Sequence, residues 1–339
     1  MNPFFNLAFS IKGFLVMMLL FCHTTRVFSQ IKIEDKIDEY YTEKVVSKKD
    51  TSYVDFATKN WSLRAFANIK DHSFQLKNSM SKINYTPNNR FGVGVGIAYF
   101  PVVLDIGFNV KAGQNEPTDR FDLQAKVLLG ANYLGLVVQD YKGFNVRSSD
   151  MENSLFREDI RSSTINLTYA YVFNSNRVSI GAVFSGSQIQ KKNVGSFLLG
   201  GFMIYHRMNA DSSIIPSNQQ KLFGELSGLS SSNSIGGGIV GGYGHIFILP
   251  HNLFLFFNLS PGIGLVKKQF GTDSSSYESS YPLLYRLNFN LSCGYNGHGF
   301  YILWTAGDDI SLTSFDSSNK GALNIGMSKL IFGYKFRKR

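Results

Sequence analysis

The chain has 339 residues, with 34 Lys and Arg against 24 Asp and Glu, a formal net charge of +10. Charged residues make up only 17% and aromatics 14%, while Gly 32 far outnumbers Pro 8. A near-neutral mean hydropathy excludes a helical membrane protein but suits strands whose apolar and wet faces alternate.

At the N-terminus Lys12 precedes an apolar run, Gly13–Cys22, GFLVMMLLFC. It is shorter than the roughly 20 residues that a spanning helix needs. Val27-Phe28-Ser29 follows with short residues where a signal peptidase reads, so residues 1–29 are expected to be a signal peptide and Gln30 the mature start. A lipoprotein anchor at Cys22 is disfavoured because Phe21 stands where a small residue is wanted. Cleavage leaves Cys293 alone, so neither an intrachain disulfide nor a cysteine-built zinc site can form. Residues 30–59 are a polar periplasmic lead-in, with Ile31, Ile33 and Ile37 marking a short amphipathic helix; they hold too few apolar residues for a core.

Alternating segments then follow. Trp61–Lys70 and Ser73–Met80 read as two strands joined by a tight Asp71-His72 hairpin. Phe91–Tyr99, FGVGVGIAY, sets five apolar residues against a face of Gly92, Gly94, Gly96 and Ala98, which permits tight curvature or close approach. A dinucleotide site would need a helix after those glycines, but Phe100-Pro101 turns into another strand, Leu104–Val110. Next come Phe121–Leu129, Tyr133–Gln139 and Ser163–Phe173, then a turn at Asn174–Arg177 into Val178–Gly186. Gly195–Met208, Gly236–Leu249, Leu253–Val266, Leu284–Tyr295, Phe300–Thr305 and Ala322–Phe336 complete the series. Leu284–Tyr295 segregates most cleanly, with Tyr285, Leu287, Phe289, Leu291, Cys293 and Tyr295 opposite Arg286, Asn288, Asn290, Ser292 and Gly294. Polar connections lie at 111–120, 141–162, 209–235, 267–282 and 306–321. Counting crossings from both ends puts short turns on opposite sides of the membrane, which the rule of short periplasmic turns forbids.

The expected fold class is therefore all-β: a closed transmembrane antiparallel β-barrel of about 12–14 strands over residues 60–339, in the cell outer membrane. Strands that span hydrocarbon must pair every backbone amide within the protein, which is why closure is expected.

Five stretches resemble a family of Bacteroidetes proteins known by a domain of unknown function, DUF4421: NYTPNNRFGVGVGIAY at 84–99, QDYKGFNV at 139–146, KKNVGSFLLGG at 191–201, DSSIIP at 211–216 and GYGHIFILPHNLFLFFNLSPGIGL at 242–265. The resemblance spans residues 50–339 and implies an outer-membrane-type barrel. It carries no assigned catalytic residue.

By strand phase Arg64, Lys77, Asp105, Lys111, Asp122, Lys126 and Arg286 point inward. Both signs are present, so pairing across a narrow lumen is expected, with Asp122 and Lys126 as neighbours suited to it. The expected function is a structural or assembly component with a largely closed, charge-paired lumen; the alternatives are a narrow channel for small polar solutes and a lipid-modifying barrel enzyme. An enzyme is not expected. His206 and His245 sit on strands with no acid near in sequence, while His72, His251 and His298 read as turn residues. No catalytic, cofactor-binding or metal-ligating residue is assigned. The expected partners are outer-membrane lipid and other envelope proteins contacting segments 141–162 and 209–235. Nucleic acid is excluded, since the basic residues form no basic-aromatic stripe.

Overall fold

The computed structural model describes residues 42–43, 45–56, 61–99, 101–110, 118–149, 151–272 and 275–336. The signal peptide, the helix expected at Ile31–Ile37 and Lys111 lie outside them. The chain divides into Met1–Lys48, of which a 3-10 turn at Val46–Lys48 is described, and Lys49–Arg339, which holds the sheet.

The strands are β1 (Val54–Phe56), β2 (Trp61–Lys77), β3 (Lys82–Thr86), β4 (Phe91–Tyr99), β5 (Val102–Asn109), β6 (Asp119–Leu129), β7 (Asn132–Ser148), β8 (Leu155–Val172), β9 (Gln188–Gln190), β10 (Val194–Asn209), β11 (Leu229–Leu249), β12 (Leu253–Thr272), β13 (Ser276–Glu278), β14 (Leu283–Asn296), β15 (Phe300–Ser314) and β16 (Lys320–Phe336). A short helix, α1, spans Ile180–Phe184. β1 and β9 make a separate two-stranded sheet. The others form one antiparallel sheet of fourteen strands in the order β11-β10-β8-β7-β6-β5-β4-β2-β16-β15-β14-β12-β13, with β11 also paired to β12 and β3 branching onto β2 and β7.

This order corrects the expected closed barrel of 12–14 equivalent crossings. The fourteen strands are not equivalent crossings: β3 branches onto β2 and β7, the three-residue β13 ends the path beyond β12, and β11 pairs with both β10 and β12. The reason is local: β3 and β13 are short pieces that add onto the ends of longer neighbours, Phe74–Lys77 and Gln269–Gly271 among them.

Asp71-His72 is not a hairpin. β2 runs unbroken through it, because His72 is wholly buried and hydrogen-bonded on the inner face, while Asp71 takes the outer phase. Merging these two strands and losing Val178–Gly186 as a crossing together remove the conflict over the turns. The short connections after β4, β6, β11 and β14 share one end of the sheet with the longer 173–193 connection, and the other connections share the opposite end. Val178–Gly186 is likewise not a strand. Ser179 caps α1 by accepting from the Ala182 amide at 2.9 Å, and the 173–193 connection folds inward from the short-turn end. Lys49 Nζ donates to the carbonyls of Ser175 and Val178, the latter at 2.8 Å. Arg64 donates to Phe184 O at 2.7 Å and Asn296 Nδ2 to Gln188 O at 2.8 Å, so wall strands β2 and β14 hold this segment on the inner face.

The segments 141–162 and 209–235 are corrected too. Most of 141–162 is strand, in β7 and β8. The 210–228 connection buries Ile214, Ile215, Phe223 and Leu226 against the inner face at the long-loop end, where Tyr85 Oη donates to Ile214 O at 3.0 Å. Two apolar clusters result, one at each end of the interior, with charged residues between them.

Outward positions of the long strands are apolar and exposed: Leu63, Val95, Ile165, Tyr169, Leu199, Ile239, Leu259, Tyr285, Phe289 and Phe332 among them. This bears out the phase read for Leu284–Tyr295. The glycines of β4 are explained by what lies over them. Arg64, Phe66 and Asn68 of β2 register with Gly96, Gly94 and Gly92 and occupy the space that side chains there would need. A Cβ on Gly96 would stand 2.1 Å from Asp105 Oδ1 and 2.7 Å from the Leu104 carbonyl. Gly96→Val is therefore expected to destabilise by roughly 1–3 kcal/mol through overpacking. Gly107→Ala meets nothing closer than 3.5 Å and is expected to be near neutral; denaturant midpoints of the two variants check the contrast.

Candidate functional site: an inner-face cavity beside a belt of charges

Alternation along β2 turns every second residue from Ser62 to Leu76 inward, and β5, β6, β15 and β16 add charges at the same depth. Asp105 of β5 receives two cations. Arg64 Nε lies 3.0 Å from Oδ1 and Lys329 Nζ 2.8 Å from Oδ2, with all three side chains at most 7% exposed. Lys329 also donates to Gln124 Oε1 at 3.1 Å. Across the interior Arg286 pairs with Asp309, its Nε 2.7 Å from Oδ1, and its Nη2 donates to Thr168 of β8 at 2.8 Å. Asn166 Nδ2 donates to Asp309 at 2.9 Å, so the sheet curls far enough for the inner faces of β8, β14 and β15 to meet.

Asp122 does not pair with Lys126. It is bound by Lys70 Nζ at 2.6 Å, by Gln139 Nε2 at 2.9 Å and by the Tyr141 hydroxyl at 3.1 Å. A further chain starts here. Since Gln139 gives its amide hydrogens to a carboxylate, its Oε1 accepts, and His72 Nδ1 must donate to it at 2.9 Å. His72 Nε2 then accepts from Ser162 Oγ at 2.8 Å, which in turn accepts from His206 Nε2 at 3.0 Å. A serine between two histidines has the parts of a nucleophile and its base. Ser162 and His72, however, have no exposed surface.

Of the residues expected inward, Arg64, Asp105, Asp122, Lys126 and Arg286 are on the inner face and four of them join ion pairs. Lys77 is a correction: with β2 unbroken, its phase falls outward and it is exposed. Lys111 is outside the described residues. The sequence reading missed Lys70 and His72, which the Ser62–Asn68 phase reaches once it is carried past position 70. It also missed Lys329, which shares an otherwise apolar phase with Leu323, Ile325, Met327 and Ile331.

Between the charged belt and α1 lies a cavity of about 230 Å³. Val178, Val183, Leu198, Ile246 and Phe256 line its apolar side, and Arg64, Lys126, Arg286 and Lys329 reach its polar side. Lys126 Nζ sits 3.8 Å from the centre of the Phe184 ring. The expected function, a structural component with a largely closed, charge-paired lumen, is corrected by these findings: Lys126 is not matched to Asp122, and the interior holds a cavity. Among the described residues no His, Cys, Asp and Glu side chains group as a metal ion would need.

A wide apolar outer band backed by buried ions is the reverse of a soluble protein's surface, where exposed apolar patches are small. Such a band suits hydrocarbon, and the chain is an outer-membrane protein.

The chain is similar to the translocator domain of the autotransporter NalP from Neisseria meningitidis, at 13% identity and a TM-score of 0.42 over 91% of this chain and 98% of that one. It is similar to the outer membrane protease OmpT from Escherichia coli at 6% and 0.37, over 83% and 98%. The beta domain of the Bordetella autotransporter Brka matches at 10% and 0.36, over 82% and 100%. No curated protein sequence matches it. Over residues 48–336 the chain matches the model described as Domain of unknown function (DUF4421), and it belongs to that family.

Proposed function

We propose that this outer-membrane protein binds a small molecule in the cavity on the inner face of its sheet. The observation that carries the reading is the cavity itself, closed on one side by α1 and on the other by the ion belt. At about 230 Å³ it falls below the roughly 300–1,000 Å³ of drug-sized pockets, so its occupant is small. An apolar wall with a few convergent polar groups is how such sites are built. The role is binding rather than catalysis, a reading supported by the complete enclosure of Ser162. Contact with another envelope protein is assigned to the exposed tip of the β7–β8 hairpin, Glu152–Leu155, because the 210–228 connection has turned its apolar residues inward.

Val137 of β7 lines the cavity, and Val137→Trp fills it. In native mass spectra of protein released from outer membranes, the wild type is expected to carry a reproducible low-mass adduct that the variant lacks. Identical spectra for the two, before and after saturation with alkanol and alkanoate probes, would remove the reading.

A further inference from the structure

Lys126 is the cation that the belt leaves over, and the register shows why. Its partners are Val103 on β5 and Gly135 on β7, and the flanking inward positions of its own strand are Gln124 and Leu128. None carries an acid. Asp105, the inward carboxylate of the neighbouring strand, faces Gln124 across the ladder and is held by Arg64 and Lys329. Among the described residues Lys126 makes no ion pair or hydrogen bond, and its ammonium lies against the Phe184 ring. A ring face offsets part of the cost of desolvating an ammonium, but it satisfies none of the three N–H donors with an acceptor oxygen.

A second donor stands beside it. A Cβ on Gly135 would lie 2.7 Å from Tyr133 Oη, so that hydroxyl covers the residue registered with Lys126, and both side chains line the cavity. Arg286, only 5% exposed and on the same cavity, keeps its Nη1 without a partner among the described residues. The charges at the wall do not balance. Arg64, Lys126, Arg286 and Lys329 face two inward carboxylates, Asp105 and Asp309. Asp308, the third acid at this wall, has the opposite phase and registers with Gly326, beside Asp71 on the outer face. The cavity is thus electropositive at one end and apolar at the other, where Val178, Val183, Leu198, Ile246 and Phe256 gather.

We propose that the cavity holds a short-chain carboxylic acid, its carboxylate against Lys126 and Tyr133 and its chain among the apolar residues under α1. This rests on the binding role proposed above and names the chemistry of the occupant. Two adjacent donors match the two oxygens of one carboxylate, and a charged donor makes the stronger kind of hydrogen bond. A neutral alcohol of the same length would leave the Lys126 charge uncompensated. A cationic head would add to the excess already present.

The test uses the full protein in nanodiscs of zwitterionic lipid, with empty nanodiscs as the blank for partitioning. Octanoate, 1-octanol and octyltrimethylammonium are titrated calorimetrically. Octanoate is expected to bind saturably and on the order of tenfold or more tighter than 1-octanol, with octyltrimethylammonium not binding. Lys126→Gln is expected to lower octanoate affinity on the order of tenfold and to leave 1-octanol unchanged. Lys126→Arg, which keeps the charge, should restore most of the loss, and unfolding midpoints of both variants report whether the sheet is intact. Equal binding of octanoate and 1-octanol that Lys126→Gln does not alter, but that Val137→Trp abolishes, would overturn the carboxylate proposal and leave the cavity as a binding site. Binding of no probe, or binding that survives Val137→Trp, would overturn both.

Discussion

Asp105→Asn is expected to destabilise the folded protein by about 3–5 kcal/mol, the range seen when one partner of a buried ion pair is removed. The size follows from stoichiometry. One carboxylate serves two cations, Arg64 and Lys329, each with a side chain only 3% exposed. Asparagine keeps the shape but leaves both charges without a counter-ion. Arg64 would retain its bond to Phe184 O and Lys329 its bond to Gln124, so the loss concerns charge more than hydrogen-bond number. Urea unfolding in lipid vesicles measures the effect. Adding Lys329→Met to Asp105→Asn removes one orphaned charge and should recover part of the loss. An Asp105→Asn variant that unfolds at the wild-type urea concentration would mean that the belt is solvated and the pair contributes little.

The second large effect is expected at Leu199, and it tests the membrane face. Leu199 is 54% exposed on β10, and its neighbours across the ladders are Tyr171 and Gly241, neither of which can pair with a charge. In water an exposed Leu→Arg change is close to neutral. In hydrocarbon near midplane it costs on the order of 2–4 kcal/mol. Leu199→Arg is therefore expected to lower the free energy of unfolding in vesicles by that amount, while Leu199→Phe stays near wild type. Phe289 is the weaker site for this experiment, because its register partner on β15 is Asp308, which would accept a salt bridge from an introduced arginine. If both Leu199 variants fold into vesicles as well as the wild type does, the outer band does not face lipid.

Much of this was legible before any coordinates. Period-two segregation in Leu284–Tyr295 placed Tyr285, Leu287 and Phe289 opposite the inward Arg286, and all three are exposed. Side chains of a strand alternate whatever the neighbours are, so a face can be assigned from one segment alone. The same rule put Arg64, Asp105, Asp122 and Arg286 inward. It failed for Lys77 and His72 at one point, where a polar dipeptide in the middle of a long strand was taken for a turn. Asp71-His72 has the composition of a turn, and it is strand because β16 pairs through it, Gly326 with Asp71 and Ile325 with His72, while Gln139 and Ser162 satisfy the buried imidazole.

Partnership was a different matter. Asp122 pairs with Lys70 rather than Lys126, and Asp105 with Arg64 and Lys329, residues 41 and 224 positions away. Such distances in sequence carry no periodic signal; they close only when β5 lies two strands from β2 and a glycine strand between them leaves the pair room to meet. The same holds for α1. Val178–Phe184 reads as a strand by its apolar content, and it becomes a helix because Ser179 caps it and Arg64, Asn296 and Lys49 bind the carbonyls of its segment from elsewhere in the fold. Sequence by itself determined which face of each long strand meets lipid, since that depends on alternation alone. Tertiary structure decided which charges neutralise one another, where the sheet branches, and that Lys126 stands beside a cavity without an acid, because those depend on which distant strands curl into contact.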